Sequence, residues 1–279
     1  MNVGPALRCY MNLMAVRSLP ESSRGFRASA AEQLDLIAST GYTGVQFADV
    51  PGIAELAECR RRGLGVCGSG RVNKVHEAAE LAERLAGEGS DCGTVHLGWG
   101  LEDDSEAWSL IEAVIEAAER WRVPLYVETH RATICQDMWR TVQFVSRLPD
   151  IRFNGDFSHW YAGQEMVYGD FQRKFEFIQP VIERVRFVHG RIANPGCIQV
   201  PVTTGASYVR HFEQLWTACF RAFIAHATAE EYIIFTPELL GPDIFYARVF
   251  DGSEESDRWD EMLLLKGMAE QCFALARCC

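Results

Sequence analysis

The most constraining feature of this sequence is a regular alternation between short apolar runs and longer segments with helical periodicity. Short runs rich in β-branched and aromatic residues predict strands, and apolar residues spaced three and four apart predict helices. The predicted strands cover residues 7–14, 44–47, 65–67, 94–97, 125–128, 152–156, 186–191 and 232–238. The predicted helices cover residues 30–40, 53–61, 73–86, 105–120, 136–147, 171–182, 208–227 and 259–277, with Ser29 and Ser105 as expected N-caps.

Eight βα units in 279 residues predict a single (β/α)8 TIM barrel that spans residues 1–279 as one domain. An open, doubly wound sheet is the main alternative. Such a sheet usually carries a glycine-rich first turn, but the segment after the first strand reads RSLPESSRGF and has neither GxGxxG nor P-loop spacing. No linker, repeat or composition shift divides the chain, so the barrel is favoured.

Composition excludes several classes of function. The chain has 27 basic and 38 acidic residues, a net charge of −11, which opposes a surface that follows nucleic-acid phosphates. No apolar run approaches the roughly 18 residues of a membrane span, and the start of the chain has no signal-peptide pattern. The ten cysteines lack the paired spacing of disulfide or zinc scaffolds. We therefore expect a cytoplasmic protein without nucleic-acid or membrane partners.

The ends of predicted strands five and six carry polar side chains. In a TIM barrel the chemistry takes place at the C-terminal ends of the strands. Strand five ends in YVETH, and its two-residue period places Glu128 and His130 on one face. Strand six ends in NGDFSHW, which presents Asp156, with His159 three residues further on.

Strands seven and eight end in the same way. Strand seven reads FVHGR and presents His189, followed by Arg191, and strand eight reads FTPEL and presents Glu238. Four successive strands therefore bring a set of donors to one rim: Glu128, Asp156, His189 and Glu238.

Three carboxylates and one imidazole suit one divalent metal ion: Mn²⁺, Co²⁺, Mg²⁺ or Fe²⁺, with Zn²⁺ also possible. Carboxylates clustered in a barrel mouth repel one another, and a bound dication removes that cost. Each donor has a structural alternative: an ion pair with Arg131 or Arg191 for Glu128, a loop cap for Asp156, a core position for His189 and a helix cap for Glu238. Their joint occurrence at four consecutive strand ends favours the metal site.

These motifs, together with GYTGVQF at the second strand, resemble the xylose isomerase-like TIM-barrel superfamily, often described as sugar-phosphate isomerases/epimerases. The resemblance covers essentially the whole chain. Its members include ketose 3-epimerases, hydroxypyruvate isomerases, inosose dehydratases and barrel-type AP endonucleases. The series of acidic and histidine residues is therefore specific for the superfamily and not for one reaction.

The resemblance implies roles for individual residues. It places the metal ligands on Glu128, Asp156, His189 and Glu238 and the proton-transferring carboxylates on Glu128 and Glu238. The candidate substrate contacts are His159, Arg191, His130, Gln46, His96 and Trp160. Gln46 stands where many relatives have a glutamate, and an amide donates hydrogen bonds but takes no proton. A structural role for His130, rim packing for Trp160 and an additional metal contact for His96 remain alternatives.

The implied reaction is isomerisation or epimerisation of a sugar or related polyhydroxy carbonyl compound, by proton abstraction and an enediolate. Expulsion of a β-hydroxyl from the same enediolate would give a dehydratase or lyase acting on an inosose or keto-sugar, with His130 or His159 as the acid. An AP endonuclease-like hydrolase needs further ligands and basic loops, and a non-catalytic small-ligand binder would not need all four donors. A homo-oligomer is possible, because dimers and tetramers are common among the relatives.

Overall fold

The computed structural model describes residues 4–203 and 205–278. It confirms the predicted (β/α)8 barrel: eight parallel strands close into one sheet in sequence order. The strands are β1 (Ala6–Asn12), β2 (Gly44–Gln46), β3 (Gly65–Val72), β4 (Cys92–Leu97), β5 (Leu125–Glu128), β6 (Phe153–Gly155), β7 (Val185–Gly190) and β8 (Tyr232–Pro237). Pairing of β1 with both β2 and β8 closes the ring.

Helices surround the barrel, and a small antiparallel hairpin, β9 (Val249–Phe250) with β10 (Ser253–Glu254), follows strand β8. The helices are α1 (Leu13–Arg17), α2 (Ala30–Ser39), α3 (Ile53–Arg61), α4 (Val75–Glu88), α5 (Asp104–Trp121), α6 (Met138–Arg147), α7 (Phe157–Gly163), α8 (Phe171–Phe177), α9 (Gln179–Ile182), α10 (Ser207–Ile224) and α11 (Arg258–Arg277). A 3-10 turn covers Pro242–Ile244. Among the described residues, we find no helix with the length and apolar character needed to cross a membrane.

Two local expectations are wrong. The prediction that Ser105 caps helix α5 fails because Asp103 and Glu106 form a reciprocal capping box, and the helix starts at Asp104. Strand β3 does not end at Cys67 but continues to Val72, since its Gly-Ser-Gly stretch pairs with β4 along its full length. The predicted cap at Ser29 is confirmed by a capping box with Glu32.

The lower part of the barrel interior is filled by a cluster separate from the main core. It consists of Tyr10, Cys67, Cys92, Phe187 and Ile234, with Tyr126 and Tyr232 packed against them. Tyr10 is fully buried, and it needs small neighbours on the next two strands. A Cβ on Gly44 would lie 2.4 Å from the Tyr10 ring, and a Cβ on Gly65 would lie 2.1 Å from its hydroxyl.

Polar residues lie directly above this apolar plug. Asn12 stands two positions beyond Tyr10 on β1. In the same way, Glu128 follows Tyr126 on β5, and His189 follows Phe187 on β7. These side chains are buried, and hydrogen bonds connect them through their neighbours. Because side chains two residues apart face the same way, each of these strands places an apolar side chain in the floor and a polar side chain in the layer at the open mouth.

Candidate active site

The four predicted metal ligands converge. Glu128, Asp156, His189 and Glu238 each offer one donor atom, and these atoms all lie within 4.8 Å of one another. The Nδ1 atom of His189 is central: it lies 3.4 Å from Glu128 Oε2, 3.9 Å from Asp156 Oδ2 and 3.2 Å from Glu238 Oε2. Four segments that are far apart in sequence therefore present their donors to one point.

The donor set fits a divalent ion. Oxygen and nitrogen ligands lie about 2.0–2.2 Å from such an ion, so neighbouring donors around it are separated by about 3–4 Å. The three distances from His189 Nδ1 to the carboxylates fall in that range. The Oδ1 atom of buried Asn154 has no hydrogen-bond partner among the described residues, so the layer beside the donors is not fully satisfied by protein groups. Glu128, Asp156, His189 and Glu238 would hold the ion.

Arg191 is the guanidinium of this cluster. It is 1% exposed, and its Nη1 atom lies 2.9 Å from Asp156 Oδ2, while Nη2 forms an ion pair with Glu238. Its Nε–H also donates to the main-chain oxygen of Glu238 at 2.9 Å. A buried carboxylate is strongly destabilised without a partner, so Arg191 compensates two of the three acids. Arg191 is therefore committed to the ligands and is not a free group in the cavity.

The charges of the cluster set the pKa values of two ligands in opposite directions. Burial alone would raise the pKa of Glu238, but His189 and Arg191 hold it at about 2. Burial alone would lower the pKa of His189, but Glu238 and Glu128 raise it to about 10. Without a metal, the imidazole of His189 is therefore protonated at neutral pH and acts as the counter-charge of the carboxylates.

Glu128 and Asp156 respond differently to the same surroundings. Burial opposes ionisation of Glu128, but the nearby imidazoles of His189 and His96 hold its pKa well below the ordinary value. Asp156 has its pKa raised to about 7, first by burial, with the like charges of Glu238 and Glu128 adding to it and Arg191 opposing it. One of the three acids thus holds a proton part of the time at neutral pH, which is expected where carboxylates crowd together without a metal.

Gln46 orients the histidine ligand. Its Oε1 atom lies 3.0 Å from His189 Nε2, so the ring presents Nδ1 to the carboxylates. The amide of Gln46 donates to Thr94 Oγ1 at 3.0 Å. Asn12, at the end of β1, donates to Glu238 Oε1 at 3.2 Å and to Gln46 Oε1 at 3.3 Å. Gln46 remains on the cavity wall, but its oxygen is already engaged with protein groups.

Three imidazoles form a row beside Glu128. The His130 ring lies 4.3 Å from the His96 ring and 3.8 Å from the His159 ring, centre to centre. His96 Nε2 lies 3.3 Å from Glu128 Oε1, and His96, Glu128 and His130 also offer donor atoms within 4.8 Å of one another. Burial lowers the pKa of His130 to about 4. Burial also lowers the pKa of His159 well below its ordinary value, and the nearby His130 and Arg191 lower it further. His130 and His159 are therefore neutral at pH 7.

A cavity of about 290 Å³ opens above the ligands. It is lined by Asn12, Met14, Gln46, Phe47, Ala48, Asp49, Ser69, Gly70, Arg71, Thr94, His96, Glu128, His189 and Glu238. Most of the wall comes from strands β1 to β4 and the segments that follow β1 and β2, and the two glutamates of the wall come from the ends of β5 and β8. The volume suits a small polar molecule.

No protein-family model matches the sequence, and no curated protein matches it either. Solved structures match it along almost the whole chain. The probable 3-DHS dehydratase AsbF from Bacillus anthracis, involved in petrobactin synthesis, has a TM-score of 0.58 at 12% identity over 95% of this chain and 97% of that one. A xylose isomerase-like TIM-barrel protein from Mycobacterium smegmatis in complex with magnesium has a TM-score of 0.56 at 14% identity over 98% and 96%.

A sugar phosphate isomerase/epimerase from Parabacteroides distasonis is also similar, with a TM-score of 0.56 at 13% identity over 95% of this chain and 97% of that chain. The fold that this chain shares with these structures is the (β/α)8 TIM barrel. Identities of 12–14% support the fold alone, so the residues of the site have to carry the argument about chemistry.

Of the six predicted substrate contacts, Gln46 and His96 line this cavity, whereas His130, His159, Arg191 and Trp160 do not. Trp160 is fully buried, its indole N–H donates to Cys135 O at 2.9 Å, and its ring packs edge-on against Phe157. The reason is helix α7, which starts at Phe157 and turns Trp160 towards the core. This placement favours the packing alternative for Trp160.

Sequence reasoning missed five polar residues of the cavity wall: Asn12, Asp49, Ser69, Arg71 and Thr94. Asn12 ends β1, so the strand-end rule applied to the other strands would have found it. Arg71 lies near the end of β3, beyond the point where the apolar pattern stops, and the glycines of Gly-Ser-Gly hid the strand that carries it. Arg71 contacts His96 and lines the same cavity as the ligands.

Proposed function

We propose that the protein is a divalent-metal-dependent isomerase or epimerase that acts on a sugar or related polyhydroxy carbonyl compound. The observation that carries the proposal is the convergence of Glu128, Asp156, His189 and Glu238 within 4.8 Å at the mouth of a TIM barrel. When bound there, a divalent ion acts as a Lewis acid that makes the C–H beside a carbonyl group more acidic. Mn²⁺, Co²⁺, Mg²⁺ and Fe²⁺ suit the oxygen-rich donor set, and Zn²⁺ is the further candidate.

Glu128 and Glu238 are proposed to transfer the proton. They lie at the ends of β5 and β8, with β6 and β7 between them, so they face the cavity from different directions. Both have pKa values below the ordinary range, so both are ionised and able to accept a proton. One carboxylate removes the proton and the other returns it, which inverts or relocates the stereocentre.

The uncharged side of the cavity is suited to binding the hydroxyl groups of a substrate. Asn12, Gln46, Ser69 and Thr94 supply amide and hydroxyl groups to its wall. These groups hold one another by hydrogen bonds of 2.8–3.3 Å. A preorganised polar surface of this kind favours a ligand with several hydroxyls over an apolar one. Arg191, fixed beside Asp156 and Glu238, contributes positive charge where negative charge develops on the substrate.

A dehydratase is the second candidate, and the row of His96, His130 and His159 favours it. Loss of water from an enediolate requires a group that delivers a proton to the departing hydroxyl. His130 lies two residues after Glu128 in sequence and between the other two rings in space, so it is the proposed proton donor of this branch. Because its imidazole is neutral at pH 7, it must first take up the proton that it delivers. The similar fold of the probable 3-DHS dehydratase is compatible with this branch.

Solvent exchange tests the proposed function. The metal-loaded protein is incubated in D₂O with ketoses, inososes and keto-glycosides, and the carbon-bound deuterium is measured. We expect exchange at the carbon beside the carbonyl, and a loss of about 100-fold or more in Glu128→Gln and Glu238→Gln, because general bases contribute factors of that size. Glu270→Gln is the matched control, since Glu270 is exposed and pairs with Lys266 at 2.7 Å on helix α11.

The products then separate the two candidates. Deuterium in an isomer or epimer supports the proposed function, and loss of water supports the dehydratase. If wild-type protein exchanges no carbon-bound hydrogen in any member of the panel, and metal analysis finds no ion, the enolising reaction is excluded.

A further inference from the structure

Arg71 lies on the wall of the active-site cavity, and its charge is opposite to that of the acidic ligands. Its Nη2 atom lies 3.4 Å from His96 Nδ1, and the other nitrogen of that ring lies 3.3 Å from Glu128 Oε1. One imidazole ring therefore separates the Arg71 guanidinium from a metal ligand. The guanidinium also stacks on Trp99, with 3.8 Å between its central carbon and the ring centre.

Arg71 has no acidic partner among the described residues. No carboxylate of residues 4–203 and 205–278 lies within the 4.0 Å ion-pair distance of its nitrogens. Asp49, the other acid on the cavity wall beside the ligands, is exposed to water. Arg71 is half-buried, and the two buried arginines among the described residues differ from it: Arg191 pairs with Asp156 and Glu238, and Arg258 pairs with Glu254 at 2.6 Å. Burial without a partner lowers the pKa of Arg71, opposed by the more distant charges of Glu128 and Glu102.

The backbone fixes one side of the Arg71 guanidinium and leaves donors free. Nη1 donates to the main-chain oxygen of Gly98 and lies 3.5 Å from that of Ala132. Of the five N–H donors of an arginine, at least the Nε–H makes no hydrogen bond to a described residue. The side chain is thus held in place by Trp99 and two carbonyls while part of its donor edge stays available.

The charge balance of the site leaves Arg71 in excess. A bound dication and Arg191 together carry three positive charges, which equal the three negative charges of Glu128, Asp156 and Glu238. Binding of the ion also requires that His189 be neutral. The charge of Arg71 then has no buried counterpart in the cavity, since the remaining acid on its wall, Asp49, is exposed to water and makes no ion pair with Arg71. A cation that is partly removed from water without a partner is unfavourable.

We propose that Arg71 binds a carboxylate of the substrate, so that the substrate class is a keto acid of the sugar series: a polyhydroxy carbonyl compound that also bears a carboxylate. This inference deepens the proposed function and rests on it, because the charge balance assumes the bound dication. A planar carboxylate matches the edge of a single guanidinium. A phosphate dianion has more charge and more acceptors than one partly engaged arginine can satisfy.

Binding measurements without turnover test the inference. Titration calorimetry on protein saturated with Mn²⁺ compares gluconate, a carboxylate polyol, with sorbitol, its uncharged analogue, and with sorbitol 6-phosphate. We expect wild-type protein to bind gluconate at least about tenfold more tightly than sorbitol, and this preference to fall by about tenfold in Arg71→Met, because a charge-assisted hydrogen bond contributes about that factor. Arg71→Lys keeps the charge and should retain part of the preference.

Arg147→Met is the matched control. Arg147 stacks on Trp108 at 3.7 Å, as Arg71 stacks on Trp99, but it lies on helix α6 outside the cavity. Gluconate also chelates metals, and that contribution is the same in Arg71→Met, which keeps all four ligands. Circular dichroism and Mn²⁺ binding show whether each variant is folded.

The outcomes separate the inference from the proposed function. An equal preference for gluconate in wild type and Arg71→Met, or no preference in wild type, overturns the role of Arg71 even if solvent exchange succeeds. Tighter binding of sorbitol 6-phosphate than of gluconate shows that the anion is a phosphate and overturns the carboxylate assignment. A preference that depends on Arg71 in a protein that exchanges no hydrogen supports carboxylate binding and removes the isomerase.

Discussion

Gln46 accepts a hydrogen bond from His189: Gln46 Oε1 lies 3.0 Å from His189 Nε2, and both side chains are buried. The ring nitrogen that faces the three carboxylates is therefore fixed by an amide three strands away around the closed barrel. Contacts of this kind set the orientation and the tautomer of a metal-binding histidine.

Replacement of Gln46 by leucine should weaken metal binding. The ring of His189 loses its acceptor and rotates more freely, so we expect the dissociation constant for Mn²⁺ to rise about 10–100-fold, the usual cost of removing such a contact. Calorimetric titration measures the effect. Gln179→Leu removes a side-chain hydrogen bond to Phe175 O on the outer helices and should leave the constant unchanged. Equal affinities in wild type and Gln46→Leu would contradict the orienting role.

Replacement of Arg191 by methionine should destabilise the metal-free protein, and bound metal should restore most of the lost stability. The change leaves Asp156 and Glu238 without their buried partner, which typically costs about 3–5 kcal/mol. A dication bound between the same carboxylates restores positive charge and stabilises the folded state by mass action. Urea unfolding with chelator and with excess Mn²⁺ measures both effects.

The control for this prediction is Arg258→Met. Arg258 is equally buried and pairs with Glu254, away from the ligands. Its loss should lower the free energy of unfolding by the same amount with and without Mn²⁺. A similar insensitivity of Arg191→Met to metal would show that the carboxylates do not hold an ion.

Metal binding should release protons at neutral pH. Without metal, His189 has a pKa of about 10 and Asp156 a pKa of about 7, so the site holds the whole proton of the first and about half a proton of the second at pH 7. A metal ligand must be deprotonated, so the ion displaces these protons and its apparent affinity rises with pH. Titrations in two buffers with different ionisation enthalpies should give roughly 1–2 protons released per ion.

The direction in which the metal affinity changes with pH tests the identity of the ligands. Both folded-state pKa values are raised, so protonation of His189 and Asp156 stabilises the metal-free protein at low pH, and that contribution is lost as pH rises through about 7 and about 10. An affinity that falls between pH 6 and 8 would contradict ligation by His189 and Asp156.

Replacement of Gly190 by alanine should destabilise the protein and disturb the site. Gly190 lies between His189 and Arg191, and a Cβ there would stand 2.1 Å from Phe235 Cζ in the core. Overpacking of this kind costs about 1–3 kcal/mol, and it shifts β7 with its ligand. Thermal unfolding measures the loss.

Gly87→Ala serves as the comparison. Gly87 lies inside helix α4 with no atom within 4 Å of an added Cβ, so the change should stabilise the protein by about 0.5–1 kcal/mol. Equal stability of the two variants would contradict the packing described for β7.

The convergence of the four donors could be predicted from the sequence because two regular features coincide. The strand period determines which side chain of YVETH or FVHGR faces inwards, and parallel strands in a barrel end at the same rim. Together they bring Glu128 and His189 to one place although 61 residues separate them, and the structure finds their side chains 3.4 Å apart. The barrel itself followed from the same alternation.

The contacts beside the ligands could not be predicted in this way. The stacking of His130 on His159 depends on how the segment after β5 folds back, and the burial of Trp160 depends on an unexpected seven-residue helix, α7. Arg71 was hidden because glycines break the apolar pattern of β3, while the main-chain pairing with β4 continues regardless of side chains. Backbone hydrogen bonds leave little trace in a hydrophobicity pattern.

The acids and the histidine ligand stand on β5 to β8, whereas the amides, hydroxyls and Arg71 stand on β1 to β4. In the proposed function, chemistry and recognition are thus divided between two halves of the ring. We expect a change in the first half of the chain to retune which molecule is chosen, while the second half keeps the same reaction. Such a barrel can acquire new substrates without rebuilding its catalyst.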